Sequence, residues 1–308
     1  MGFLDLGGSL GRRFGSIGVG LEEIGTQLIA EAADELQVSG PDAERARRGA
    51  ERLAVHLGRA LPARITIREA IPGHAGLGSG TQMALAVGTA LARLHGLDLA
   101  PAEIAAITHR GARSGIGIAC FKAGGLVVDA GRGARTGVPP VIARLDFPAD
   151  WHFVIVLDQA DQGLHGQGET QAFATLPEFP RAAAAHLCHL LVMQGLPALL
   201  EADLVAFGDF VTALQAAVGD HFAPAQGGRF TSPRVAAALD CLAAQGGVGI
   251  GQSSWGPTGF CLAASRAEAE RLCARCREQQ SGEEHLRFLV GTPRRRGALV
   301  QDLAGALA

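Results

Sequence analysis

The stretch IPGHAGLGSGTQMALAV, residues 71–87, constrains the fold more than any other part of the chain. It joins an alternating apolar run at 63–71 to a stripe of Met83, Val87, Leu91 and Leu94 at helical spacing. The run predicts a half-buried strand broken at Pro72-Gly73, and the stripe predicts a helix from Ser79 to Gly96. Between them, glycines alternate with Ser79 and Thr81. The first N–H groups of a helix are unpaired and lie at the positive end of its dipole. Glycines let an anion approach them, so the turn reads as a phosphate cradle, the alternative being a purely structural turn.

Two familiar phosphate loops do not fit. Gly73 and Gly78 match the frame of the nucleotide-triphosphate loop, but Ser79 stands where its lysine belongs. Asp98 is spaced like the acidic residue of a dinucleotide fold, yet it follows the helix directly with no second strand between them. A second glycine loop, GGVGIGQSSWGPTG at 246–259, leads into a strand-like FCLAA. Two such loops, each carrying hydroxyl residues, favour function over packing.

Composition narrows the class. The 308 residues carry 27 basic and 30 acidic side chains, a net charge of −3, so nothing suggests nucleic acid as a partner. Lys122 is the single lysine, so any cationic site must be built from arginine. The run Arg294-Arg295-Arg296 reads as a solvated loop. No signal peptide or run of 18 apolar residues is evident, which predicts a cytoplasmic protein with reduced thiols and no membrane partner. Cys273 and Cys276 form a C-x-x-C without a second pair, and His186, Cys188 and His189 lack a carboxylate, so both groups read as helix packing rather than metal ligands.

Further elements follow from the pattern. A helix restarts near Pro101, a strand is expected at LVVDAG, and WHFVIVLD at 151–158 reads as a strand buried on both faces. Helices are expected around 181–193, 196–219, 233–245 and 266–280, with HLRFLVGTP closing the chain. The layout is α+β in two halves, taken as domains 1–160 and 161–308.

The loop Pro72-Gly73-His74-Ala75-Gly76-Leu77-Gly78-Ser79-Gly80 resembles the P-x-x-x-G-L-G-S loop of the GHMP superfamily of small-molecule kinases, and 248–260 resembles its C-terminal glycine motif. The resemblance implies a two-domain GHMP-kinase-like fold. Its N-terminal half would be like domain 2 of ribosomal protein S5, its C-terminal half ferredoxin-like, and the two loops would face one cleft. One departure sets the subtype. The kinases usually carry S-G-x-D, whose aspartate is the base; here Ser114-Gly115-Ile116-Gly117 puts glycine in its place. Glycine cannot take a proton, so conventional kinase chemistry loses its base.

Within the superfamily, five blocks at 4–19, 74–87, 113–129, 163–173 and 249–260 resemble the β-ribofuranosylaminobenzene 5′-phosphate synthase family of tetrahydromethanopterin biosynthesis. Members of that family have a strand ending in Arg-Leu-His before the region matched by Gly2-Phe3-Leu4-Asp5. An edge strand and an arginine–histidine contribution are therefore expected to be missing, unless the translation start lies further upstream.

The resemblance implies joining 4-aminobenzoate to phosphoribosyl diphosphate with loss of carbon dioxide and diphosphate. Whether a 4-hydroxy analogue replaces the amine stays open. His74, Gly76, Gly78, Ser79, Gly80 and Thr81 would hold diphosphate. A helix terminus contributes up to about 2 kcal/mol, small against the roughly 8–23 kcal/mol of enzymatic acceleration. Mg²⁺ is therefore expected, with Ser79 and Asp129 as candidate ligands. Arg12, Arg13 and Arg113 are candidate anchors for the 5′-phosphate or the arene carboxylate. Asp129 is a candidate for metal or ribose contact, or a turn cap. Gln252, Ser253 and Ser254 would meet substrate from the other half, and His165 and Glu169 would supply acid–base or metal roles. The alternatives are an ATP-dependent kinase with another base and a non-catalytic phosphosugar-binding module. Either a monomer or a homodimer is compatible with the composition.

Overall fold

The computed structural model describes residues 1–161, 163, 166–280 and 282–302. The N-terminal half holds two sheets. One has four strands, in the order β1 (Phe3–Asp5), β2 (Phe14–Val19), β6 (Leu126–Asp129) and β7 (Val141–Leu145). The other has β5 (Arg64–Glu69) between β3 (Gln27–Glu31), which runs antiparallel to it, and β4 (Gln37–Ser39), which runs parallel. Helices α1 (Ala43–Leu57) and α2 (Ser79–Leu94) pack on this second sheet. Their Ala46, Ala50, Leu53, Met83, Val87 and Leu91 share a core with Ile65 and Ile67. The strand and helix expected around the first glycine loop are β5 and α2. Helices α3 (Pro101–Ile107) and α4 (Ile116–Ala123) close the far side through Leu85, Ile104 and Ile118.

Strand β8 (His152–Asp158) is buried along its whole length, as its continuous apolar run predicts. It pairs with β10 (Thr258–Ala263) and β11 (Leu286–Gly291), not with any N-terminal strand, in a sheet ordered β11, β8, β10, β9 (Val248–Gln252). By sheet membership β8 thus groups with strands that follow the boundary expected at 160. Pleating divides its side chains. Val154 and Val156 join a core with α9 (Pro233–Ala244) and α10 (Arg266–Gln279). Phe153, Ile155 and Leu157 face the larger core with Phe207, Val211 and Leu214. That larger core also takes in Leu4, Ile17 and Val128, so one apolar mass joins the two halves.

Between β8 and β9 run α5 (Gly166–Thr175), α6 (Arg181–Leu190), a π-helical turn at Leu191–Gly195, α7 (Leu196–Glu201) and α8 (Leu204–Gln226). The helix expected at 196–219 is interrupted: Ala202 is left-handed (φ 56°) and Asp203 restarts the chain as N-cap of α8, accepting from the Ala206 N–H. Continuous helix over Arg181–Glu201 is long and apolar enough, with mean hydropathy 1.5, to cross a membrane by length and composition alone. Here its Ala184, Leu187, Leu191, Ala198 and Leu199 lie in the larger core.

Cysteine usage differs from expectation. Cys241 of α9 and Cys276 of α10 form a disulfide, so the C-x-x-C splits between that bond and a buried free Cys273. The helices stand side by side on one sheet face, which brings together two thiols 35 residues apart. Among the described residues no three His, Cys, Asp or Glu side chains group as a metal site. The arginine run 294–296 is a loop with Arg295 and Arg296 exposed, as expected, but its backbone is tied to the rest of the fold. Arg294 N–H donates to the Gly20 carbonyl, and the Arg295 carbonyl accepts from Arg144 Nη2 at 2.8 Å.

Candidate active site

The two glycine loops meet backbone to backbone. The Ser253 hydroxyl donates to the Gly76 carbonyl (2.8 Å) and the Thr258 hydroxyl to the Ala75 carbonyl (2.7 Å). Gly163 N–H donates to the His74 carbonyl from the segment after β8. The approach leaves no room for side chains: a Cβ on Gly76 would stand 1.9 Å from the Ser253 carbonyl oxygen, and one on Gly256 2.1 Å from the Ala75 carbonyl carbon. Gly78, with φ 71°, turns the chain into α2 and has open space on its Cβ side. His74 is also left-handed (φ 58°).

The expected residues fall into four groups. Ser79, Gly80 and Thr81 form the first turn of α2 as anticipated. The Ser79 hydroxyl is engaged, accepting from Arg45 Nη1 at 3.1 Å. In the second loop, Gln252 and Ser253 point inward rather than toward an open cleft. The buried Gln252 amide accepts from Thr231 N–H (2.6 Å) and donates to Gln226 and the Ser254 carbonyl. Ser254 is exposed, with φ 55°.

The third group surrounds Asp129 at the end of β6. Its carboxylate is fully buried and accepts from the Ser16 hydroxyl, the Ser114 hydroxyl (3.3 Å), Gly115 N–H and Gly131 N–H (2.8 Å each). Asp129 and Ser79 therefore sit in separate hydrogen-bond networks. Neither network has the open, carboxylate-rich geometry of a protein-built Mg²⁺ site, so the pair does not fit the metal role expected of it. The carboxylate instead fixes the start of α4 against β2. Arg12 spends Nε and Nη2 on the Ala130 and Gly131 carbonyls (2.8 Å each), and Arg13 spends Nε on the Leu6 carbonyl. Arg12 is thus tied to the turn after β6, and Arg13 to the loop between β1 and β2.

Arg113 and Glu169 come together: Nη1 lies 2.5 Å from Oε1, and the guanidinium stands 4.8 Å over the Phe173 ring. Phe173 belongs to an aromatic wall with Phe14, Phe222 and Trp255, in which Phe222 and Trp255 stack at 3.9 Å. The indole N–H of Trp255 is buried without a partner. His165 lies outside the described residues.

Gly117, at the kinase aspartate's position, is in the first turn of α4. Its carbonyl accepts from the Gln82 side-chain amide at 2.7 Å, and a Cβ there would face Thr81 at 3.2 Å. Neither neighbour is a base at neutral pH.

Sequence reasoning missed four arginines. Arg45, Arg48 and Arg52 of α1, together with Arg110 after α3, line a cavity of about 80 Å³ that also touches Gly80, Ala84 and Thr108. Their signal stands in AERARRGAER: arginines at i, i+3 and i+7 share one helix face beside the buried Ala46, Ala50 and Leu53.

This fold, with paired glycine loops closing on each other, defines a protein of the GHMP class. The GHMP kinases N terminal domain matches residues 44–125 and the GHMP kinases C terminal domain residues 196–282. A galactokinase from Lactococcus lactis superposes with TM-score 0.65 at 14% identity, covering 94% of this chain and 89% of that one. Sequence similarity is more specific. A β-ribofuranosylphenol 5′-phosphate synthase of Methanothermobacter thermautotrophicus is 34% identical over 82% of this chain and 83% of its own length. The Archaeoglobus fulgidus protein of the same name is 35% identical over 97% and 95%. The chain belongs to the β-ribofuranosylphenol 5′-phosphate synthase family within the GHMP superfamily.

Proposed function

We propose that the protein is a decarboxylating phosphoribosyltransferase that makes a C-riboside 5′-phosphate, releasing carbon dioxide and diphosphate. The observation that carries the reading is glycine at position 117, with an amide rather than a carboxylate on it, in a chain of the synthase family. Phosphoribosyl diphosphate is the ribosyl donor. The acceptor is a benzoate with an electron-donating group opposite its carboxylate: 4-aminobenzoate, or the 4-hydroxy compound to which the relatives' names correspond. The pathway is tetrahydromethanopterin biosynthesis, in the cytoplasm.

The electron flow sets what the site must do. The ring carbon bearing the carboxylate attacks C1 of the ribose as the bond from C1 to diphosphate breaks. The bond to the carboxylate then breaks, carbon dioxide leaves, and its electron pair restores the aromatic ring. The 4-substituent feeds electrons toward that carbon, so no protein base is needed for the attack. The diphosphate, gaining charge as it departs, meets the N–H groups of the α2 terminus around Gly78, Ser79, Gly80 and Thr81. Arg113 holds the acceptor's carboxylate beside the aromatic wall, and Glu169 positions Arg113. Arg12, Arg13 and Asp129 shape the loop that faces the ribose phosphate. Mg²⁺ belongs to this reading as the counter-ion of the diphosphate rather than of a protein carboxylate set.

Incubation with phosphoribosyl diphosphate, Mg²⁺ and each benzoate in turn is expected to release carbon dioxide and diphosphate in equal amounts. Folded protein that releases neither, or that turns over ATP instead, would overturn the reading.

A further inference from the structure

We infer that Arg45, Arg48, Arg52 and Arg110 form a binding site for a phosphoryl anion, contiguous with the glycine loop but made by α1 and the turn after α3. The source of that anion, the diphosphate end or the 5′-phosphate end of the ribosyl donor, rests on the function proposed above. The site itself rests on charge and geometry.

Four guanidinium groups converge on one cavity, and their own chain compensates them only in part. Asp42 pairs with Arg45 at 3.1 Å and Glu44 with Arg48 at 3.2 Å, the latter at an exposed edge. Arg52 donates to the Thr108 carbonyl at 3.3 Å, a neutral partner. Arg110 Nε is buried with no acceptor. Burial, and then the charges of Arg45, Arg52 and Arg48, holds the Arg110 guanidinium below its ordinary pKa. Arginine keeps its proton even so, and a buried donor without an acceptor is costly. Four convergent cations of which only two have carboxylate partners fit an anion brought from outside, and planar guanidinium forks suit phosphoryl oxygens.

Placement points the same way. Arg45 Nη1 bonds the Ser79 hydroxyl, and a Cβ on Gly80 would stand 2.9 Å from Arg110 Nη1. The residue that lacks a side chain in the loop is thus the one against which Arg110 lies. A cavity of about 80 Å³ exceeds the roughly 10–15 Å³ needed to hold one water.

The test measures anion binding directly on the full chain, by calorimetry and thermal shift, with inorganic diphosphate and ribose 5-phosphate as probes. Wild type is expected to bind at least one probe and to gain stability from it. Arg110→Gln and Arg52→Gln should each weaken that binding at least ten-fold. Arg48→Gln, at an exposed position that folding tolerates, should weaken it about three-fold without lowering the ligand-free Tm, because it relieves like-charge repulsion. Arg59→Gln, beyond the C-terminal end of α1, should leave binding unchanged. Which probe is lost identifies the end of the donor that occupies the site. A parallel rise in KM for phosphoribosyl diphosphate assigns the site to substrate, and weaker inhibition by diphosphate alone assigns it to product. Wild-type affinity in Arg48→Gln together with Arg52→Gln, or no binding by wild type at millimolar probe, overturns the site. Loss of anion binding in the variants of a protein that releases no carbon dioxide would keep the site and sink the proposed reaction.

Discussion

Arg113 and Glu169 form a 2.5 Å ion pair on the face of the Phe173 ring, joining the loop before α4 to the first turn of α5. Both side chains are partly exposed, so the pair contributes about 0–1 kcal/mol to stability. Its worth lies in holding a cation beside an aromatic wall. Arg113→Gln should raise KM for the benzoate and lower kcat/KM by roughly 10–100-fold, the value of a charged hydrogen bond of about 1.5–3 kcal/mol. KM for phosphoribosyl diphosphate and the Tm should change little. Steady-state kinetics with each substrate varied in turn check the split.

The loop contact makes a sharper prediction about two neighbouring glycines. Gly76→Ala drives a methyl into the Ser253 carbonyl, a backbone atom that cannot step aside. It should destabilise the protein by several kcal/mol, on the order of 3–5, and abolish diphosphate binding. Gly78→Ala meets open space and carries only the cost of a left-handed residue, about 1–2 kcal/mol. Chemical denaturation of both variants should rank them in that order.

Acid sensitivity is expected at Asp158, at the end of β8. Burial works to raise its pKa, but the Ser232 hydroxyl, Arg234 and the Ala160 N–H outweigh it and hold the carboxyl below its usual range. A depressed folded pKa contributes stability above the unfolded value, about 3.9, and that stability is lost as pH falls through the folded pKa. Wild type should therefore lose Tm steeply below about pH 4. Asp158→Asn should be less stable at pH 7 and show a shallower acid limb in scanning calorimetry.

The thiols should sort by burial. The Cys241–Cys276 bond closes a 35-residue span, worth about 4 kcal/mol on the chain-entropy account. Reductant, or Cys241→Ser, should lower stability by roughly 2–4 kcal/mol, read by chemical denaturation. Burial pushes Cys120 up to about 11 and Cys261 up to about 12. Alkylation of the native protein near pH 8 should therefore mark Cys188, the exposed free thiol, and spare those two; peptide mapping by mass spectrometry checks it.

How legible the molecule is from its sequence depends on the range of the interaction that sets each feature. The strand, loop and helix of 63–94 could be read because periodicity, helix start and glycine spacing are local. Strand β8 was legible as buried, but its partners were not, since pairing with β10 and β11 is fixed more than a hundred residues away. The short strands β1, β3 and β4 offer too few residues for a period to show. In the site, residue types were easier to find than directions. Gln252 and Ser253 stood out as polar, but only the close approach of the first loop turns them inward. The α1 arginines look like any solvated face until Arg110 arrives from the turn after α3.

The contact between Ala75-Gly76 and the segment 253–258 also sets the order in which the molecule can mature. A ribosome must translate the second loop, and release it from the exit tunnel, before the first loop can take its final shape. Until then Gly76 has lost nothing by lacking a side chain and gained nothing from it. Contacts over such a separation form late because the intervening chain must first be ordered. Incomplete chains would therefore carry the whole phosphate motif yet hold no substrate, and the unfinished enzyme is silent by construction.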